Sequence, residues 1–173
     1  MSVSNRAFVE LNKGVHDRNE FDCGNASLNE FLRTQAAKHR TIGISRTMVL
    51  SSTTTAEQGL YPIEAYYTTS IATIERATLP KGNKLPPYPV PVLLIARLAI
   101  AENKKGQGLG KITLIRALEH LLSISQSTSA VAVVVDPIDA NADAFYRHFG
   151  FLDLNDQASR LYIPMQTVAG LFL

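Results

Sequence analysis

One cysteine among 173 residues, Cys23, excludes an internal disulfide, and a lone thiol reads as a packing residue in a reducing compartment. The four histidines, His16, His39, His120 and His148, lack metal-ligand spacing, so no metal is expected. The first ten residues hold no apolar signal core. The longest apolar run, Val90 to Ala101, is interrupted by Arg97, and a soluble, cytoplasmic chain without a membrane partner is expected. Acid is missing from the middle: no Asp or Glu occurs in 31–56, 76–101 or 103–118. Residues 31–118 carry twelve basic and four acidic side chains, against three and five before them and two and six after, a contrast that the net charge of +2 conceals. Such a concentration of cations suits a polyanionic partner with several phosphates, while a solvated face whose charges never converge is the plainer alternative.

What is present is enough for one core. With 46% hydrophobic and 18% charged residues, the chain reads as a single globular domain over 1–173, without internal repeats. Ala7 to Leu11 is a short candidate strand. Ser27 begins a helix to about His39, with Ser27 and Glu30 at capping-box spacing and Leu28, Phe31, Leu32 and Ala36 on one apolar face. Arg46 to Ser51 and Ile63 to Ile74 read as strands of a hairpin, Pro62 being confined to the start of the second. Five of the eight prolines crowd 76–91 with Arg76, Lys81 and Lys84, which predicts a stiff basic loop without regular structure. Ala130 to Val135 is a near-continuous apolar strand, as expected of a central strand covered on both faces. Asn141 can cap a short helix that stops near Gly150, with Phe145 and Phe149 toward the core and Tyr146 pointing elsewhere. Arg160 to Met165 supplies a last strand. The apolar end, Leu171-Phe172-Leu173, either packs on the fold or meets a partner.

The chain is organised around the strand Val92 to Ile100, the turn Lys105-Gly106-Gln107-Gly108-Leu109-Gly110-Lys111, and a helix with apolar residues at Ile112, Ile115, Leu118 and Leu122. Glycines at alternate positions expose backbone N–H groups at a helix N-terminus, where the dipole favours an anion such as phosphate. A Walker loop is excluded, because Lys105 stands where its first glycine belongs and Ile112 replaces the Ser or Thr that would hold magnesium. The dinucleotide fingerprint fails too: its third glycine comes one residue early at Gly110, and Asp136, which could still imitate the ribose-binding acid, lies further downstream than the roughly 20 residues expected. A bare glycine turn between strand and helix remains the plain alternative.

The pattern that does fit is Q/R-x-x-G-x-G/A, the pyrophosphate loop of the GNAT superfamily of N-acetyltransferases, with Lys105 in place of the usual Gln or Arg. The order of elements resembles the GNAT acyl-CoA N-acyltransferase fold across nearly the whole chain, a mixed α/β class in which helices flank a mixed central sheet. Within that superfamily, Phe21-Asp22-Cys23-Gly24 with Leu28-Asn29-Glu30-Phe31-Leu32, Arg97-Leu98-Ala99-Ile100 before the glycine turn, Phe145-Tyr146-Arg147-His148-Phe149-Gly150-Phe151, and Leu161-Tyr162-Ile163-Pro164-Met165 resemble the AtaT and TacT type of toxin-antitoxin acetyltransferases. Asp136-Pro137, at a strand end, departs from the familiar pattern.

The resemblance implies an enzyme that transfers acetyl from acetyl-CoA to the α-amine of an aminoacyl-tRNA and so blocks translation. Leu98, Ala99 and Ile100 would then serve the pantetheine arm and thioester, Lys105 to Lys111 (Gly106, Gln107, Gly108, Leu109 and Gly110 between them) the pyrophosphate, and Asn141 the cofactor arm. Tyr146 would be the general acid, since a phenol of pKa about 10 is protonated at neutral pH and can supply the departing thiolate. No His or carboxylate is marked as a base; Glu64 and Glu75, at the ends of the long strand, are open to that role, and solvated strand ends are the plainer reading of both. Arg33, Lys38, Arg40, Arg76, Lys81, Lys84 and Arg97 are the RNA-binding candidates, chosen from the charge distribution. A ribbon-helix-helix antitoxin, operator DNA bound through the complex, and a second copy of the chain are the implied partners. The alternatives are acetylation of a small amine or protein N-terminus, and a non-catalytic CoA-binding module.

Overall fold

β-Branched and aromatic segments form a mixed sheet in the computed structural model, which describes residues 5–155 and 157–173. Hydrogen bonding orders its strands as β1 (Val9–Glu10), β3 (Arg46–Ser51), β4 (Tyr61–Ile74), β5 (Val90–Ile100), β6 (Ala132–Val135), β8 (Gln157–Pro164) and β7 (Leu152–Leu154), with β2 (His16–Asp17) beside β4. Helices α1 (Ala26–Glu30), α2 (Ala36–Thr41), α3 (Leu109–Thr128), α4 (Ala140–His148) and α5 (Met165–Gly170) flank it. This is the mixed α/β architecture expected from the sequence. Residues up to Thr69 with Arg97–Ala117 make one compact unit, and Ser70–Ala96 with Leu118–Leu173 make a second.

In the first unit, β3 and β4 pair antiparallel from Arg46 against Thr69 to Leu50 against Ala65, the expected hairpin. The N-terminal strand is shorter than Ala7 to Leu11, because only Val9 and Glu10 lie in register with β3. The first helix begins earlier than Ser27. Its cap is Asn25, whose side chain accepts the Leu28 N–H at 3.0 Å, so Ser27 lies inside the helix and the capping box does not form. A π-helical turn, Phe31–Gln35, then joins α1 to α2. The apolar face is the expected one: Leu28, Phe31, Leu32 and Ala36 are buried with Phe21, Cys23, Val49, Ile63, Tyr66, Ala99 and Ala101. The Tyr66 hydroxyl, inside this core, donates to the Leu28 carbonyl at 2.7 Å and fixes helix to strand.

In the second unit, β5 and β6 run parallel, Leu93 against Val133 to Ile95 against Val135, and all four β6 residues are buried. A parallel pair needs a crossover, which α3 supplies. β8 pairs antiparallel with both β6 and β7. Three boundaries differ from expectation. The proline-rich 76–91 is not wholly irregular: Arg76–Thr78 form a 3₁₀ turn and β5 already starts at Val90. Pro91 is tolerated there because it stands exposed near the strand's start, its carbonyl accepting from the Val131 N–H at 2.9 Å. Second, β8 starts at Gln157 and the three-residue β7 precedes it, a strand too short to leave a periodic signal. Third, α4 is capped by Asp139, whose carboxylate accepts the Ala142 N–H at 2.8 Å, and not by Asn141, which lies within the helix and is exposed. The exposed Leu171 and Leu173 leave the C-terminal end largely unpacked.

No helix among the described residues is long and apolar enough to cross a membrane. Nor does any group of three or more His, Cys, Asp or Glu among them have the placement to hold a metal ion.

Candidate active site

The glycine turn follows β5 and a short 3₁₀ turn, Glu102–Lys104, and opens α3. Gly106 and Gly108 both have positive φ, +77° and +76°, a conformation that a side chain would strain. Nothing lies within 4 Å of the place a Cβ would occupy at either, so a ligand can approach the backbone closely. Leu109 anchors the turn from below, buried with Leu50 and Ala65 beside Phe8, Ile100 and Ile112, while Thr113 Oγ1 donates back to the Leu109 carbonyl at 2.8 Å. The first-turn amides of α3 lack helical acceptors by geometry and sit at the positive end of its dipole. Gln107 and Lys111 are exposed and Gly110 is half-buried. Of the preceding β5 residues, Ala99 is buried in the core and Leu98 and Ile100 are partly exposed. The residues fit an anionic, extended guest such as a pyrophosphate with its arm.

Lys105 has a half-exposed side chain, yet its charge is engaged within the protein. Its ammonium donates to the Cys23 carbonyl at 2.7 Å and pairs with Glu102 at 2.6 Å. Glu64 also departs from expectation. It is not a solvated strand end: it is buried, paired with Arg6, and 3.6 Å from Lys104, with Arg6 further donating to the Ser51 carbonyl at 3.0 Å. A carboxylate so engaged is a structural anchor. Glu75 is exposed, as expected.

In the second unit the aromatic assignments on α4 are reversed. Tyr146 is the buried residue, at 7% exposure, whereas Phe145 and Phe149 are half-buried and pack edge to face on each other at 5.0 Å. Phe151, itself buried, follows Gly150 (φ +93°) and packs against Tyr146 at 5.4 Å, which helps to cover that ring. The Tyr146 hydroxyl has no hydrogen bond to another described residue, and burial alone raises its pKa above that of an ordinary phenol. It is a neutral donor with no acceptor among the described residues. Asp136 is held by Arg160 through two bonds of 2.7 and 2.8 Å, which occupies the acid at the end of β6.

The seven cations chosen from charge do not behave alike. Arg33 pairs with Glu30, and Arg40 with Glu10, which also pairs with Arg46 at 3.2 Å. Arg97 is half-buried, its guanidinium 3.6 Å above the Phe31 ring, and desolvation lowers its pKa. Arg76 binds Asn83 through its side-chain and main-chain oxygens, at 3.2 and 3.3 Å. Lys38, Lys81 and Lys84 are exposed without a carboxylate partner among the described residues. Lys38 and Arg40 line one cleft with Glu10, Asn12 and Lys13; Arg76 and Lys81 line another with Glu75 and Asn83. Sequence reasoning singled out Asp22-Cys23-Gly24 as a mark of resemblance but gave it no role; the turn touches Glu102 and Lys105, which precede Gly106. Asp22 two residues before Gly24 was the available signal, a side chain suited to bond the backbone of its own turn.

The acetyltransferase (GNAT) family matches residues 71–151. A tRNA-acetylating toxin of Mycobacterium tuberculosis is 31% identical over 136 residues, 78% of either chain. Among solved structures, a Tyr-to-Phe mutant of KacT superposes with a TM-score of 0.88 at 27% identity, over 96% of this chain and 98% of that one. AtaT complexed with acetyl-methionyl-tRNAfMet gives 0.86 at 27% identity, over 96% and 99%. AtaTR bound with acetyl-CoA gives 0.84 at 28%, over 96% and 98%. Similar chains were solved with the C-terminus of the antitoxin AtaR and as a KacTA–DNA complex. By sequence and by fold, the chain belongs to the GNAT acetyltransferase superfamily and is a homologue of the AtaT, TacT and KacT tRNA-acetylating toxins.

Proposed function

We propose that the chain, acting as one acetyltransferase domain, moves an acetyl group from acetyl-CoA to the α-amine of an aminoacyl-tRNA and thereby inhibits translation. The observation that carries the reading is the approachable turn with two left-handed glycines opening α3 beside β5, taken with homology to tRNA-acetylating toxins. Amides from Gly106 to Lys111 hold the cofactor's pyrophosphate, supported by the helix dipole. Main-chain groups of Leu98 to Ile100 hold the pantetheine arm and the thioester carbonyl, and Asn141 contacts that arm.

The neutral α-amine attacks the thioester carbon, a C–N bond forms, and the tetrahedral intermediate collapses with cleavage of C–S. Tyr146 gives its proton to the departing thiolate. The amine loses a proton to solvent, and water returns one to the phenolate. No dedicated base is required: an α-amine titrates near about 7.7 to 8.0 and is partly neutral at physiological pH, whereas a lysine amine near about 10.4 is almost wholly charged. Lys38, Lys81 and Lys84 lead the RNA contacts, with Arg33, Arg40, Arg76 and Arg97 contributing. The reading places the protein in the cytoplasm with charged tRNA. It also gives the protein a ribbon-helix-helix antitoxin and, through that complex, operator DNA, in line with the relatives that carry AtaR and DNA.

The test is incubation with radiolabelled acetyl-CoA and a charged tRNA pool, then with uncharged tRNA, then with Tyr146→Phe. Label on charged tRNA alone, largely lost in the variant, is the expected result. Label on simple amines with none on tRNA replaces the substrate assignment.

A further inference from the structure

The two lysines that precede Gly106 both turn back into the first unit. Lys104 faces the buried Glu64, and Lys105 bridges the Cys23 carbonyl and Glu102. Two of the three donors on the Lys105 ammonium are therefore committed to protein acceptors. The turn it grips is itself built: Asp22 Oδ1 accepts from the Gly24 N–H and from Asn29 Nδ2, each at 2.8 Å, while Asn29 Oδ1 accepts the Cys23 N–H at 2.9 Å. The Glu102 N–H donates to the Asp22 carbonyl at 2.8 Å and closes the loop between the two segments. Gly24 has φ +82°, which strains any side chain, and a Cβ there would push the Glu102 carboxylate aside from its place beside Lys105.

We propose that Lys105 is a positioning residue, which clamps the entry to the glycine turn onto the Asp22–Gly24 turn, so that acetyl-CoA affinity depends on an N-terminal segment outside the glycine turn itself. The inference rests on the reading that Gly106 to Lys111 hold the pyrophosphate. An ammonium free to meet phosphate would add a direct charge to binding. One tied to a carbonyl and a carboxylate instead fixes the backbone path from which the amides point.

Calorimetric titration of CoA into the full chain, at several salt concentrations, separates the two. Lys105→Gln and Gly24→Ala should each weaken CoA binding about tenfold, and the double variant should be little worse than either, because both break one clamp. The salt dependence should change little in Lys105→Gln, whereas removal of a direct lysine–phosphate pair would flatten it, because screening acts on that attraction. Lys105→Arg, which can still bridge a carbonyl and a carboxylate, should restore most of the affinity. In steady-state acetylation of charged tRNA the loss should fall on KM for acetyl-CoA and not on kcat. If Gly24→Ala does not fold, Glu102→Gln takes its place in the cycle. A flattened salt slope, additive effects, or unaltered affinity in Lys105→Gln overturns the clamp. Absence of CoA binding by the unaltered chain overturns the cofactor reading itself.

Discussion

Burial raises the pKa of Tyr146, and its hydroxyl has no hydrogen-bond acceptor among the described residues. Two consequences follow for a general acid. First, Tyr146→Phe keeps the ring and its packing against Phe151 but removes the proton, so kcat should fall by about 10²- to 10⁴-fold while CoA affinity holds, as single-turnover kinetics and titration would show. Second, a pKa above the ordinary phenol value of about 10 leaves the acid protonated throughout the accessible range. The rate should rise as the α-amine deprotonates and then stay level up to about pH 10, once initial rates are corrected for ester hydrolysis. An alkaline limb below that would mark a different acid. Glu64 makes the opposite case. It is buried against Arg6, so Glu64→Gln leaves a guanidinium without its counter-charge and should cost about 3 kcal/mol of stability, read by denaturant unfolding. A catalytic base at this position would instead lose kcat at unchanged stability.

Among the elements, strands that alternate or run continuously apolar were legible. Arg46–Ser51 matches its expected bounds, and β6 is buried on both faces as its Val-rich run implied. Helix starts were less legible, because several side chains near each start can cap and only the backbone path selects one. Asn25 wins over Ser27, and Asp139 over Asn141. The second exchange of roles gives a test. Asp139→Ala removes the cap and should destabilise the protein by about 1 kcal/mol, lowering the thermal midpoint by a few degrees. Asn141→Ala, on an exposed position within α4, should shift stability by less than about 0.5 kcal/mol and raise KM for acetyl-CoA instead. Equal losses of stability would mean that Asn141 shares the cap. The burial of Tyr146 was not legible either, since periodicity within nine residues could not register a ring arriving from beyond Gly150.

For the whole molecule, charge along the sequence was an accurate count but an incomplete map. Of the twelve basic residues in 31–118, Arg33, Arg40, Arg46, Lys104 and Lys105 meet carboxylates, Arg97 lies on an aromatic face and Arg76 is held by Asn83. Pairing of this kind depends on which acids fold beside which bases, and no linear count contains it. The other five are Lys111 in the glycine turn, Arg116 within α3, and Lys38, Lys81 and Lys84, these last three being the exposed cations left for the RNA phosphates. Exposed ion pairs are worth little, about 0.2 to 1 kcal/mol, so Arg33 and Arg40 can still exchange a carboxylate for a phosphate, but part of their gain is offset by the pair they leave. Charge reversal should therefore act unequally. Changing Lys38, Lys81 and Lys84 together to Glu should weaken charged-tRNA binding by at least about tenfold at low salt. It should also reduce the slope of log K against log salt by about two to three units, one for each phosphate no longer neutralised, with CoA binding unchanged. Arg33→Glu with Arg40→Glu should change both by less. Fluorescence anisotropy with labelled tRNA across a salt series gives affinity and slope in one experiment. An unchanged slope in the triple variant would mean that these lysines are a solvated face, and the acceptor would then be sought among small amines that need no basic surface.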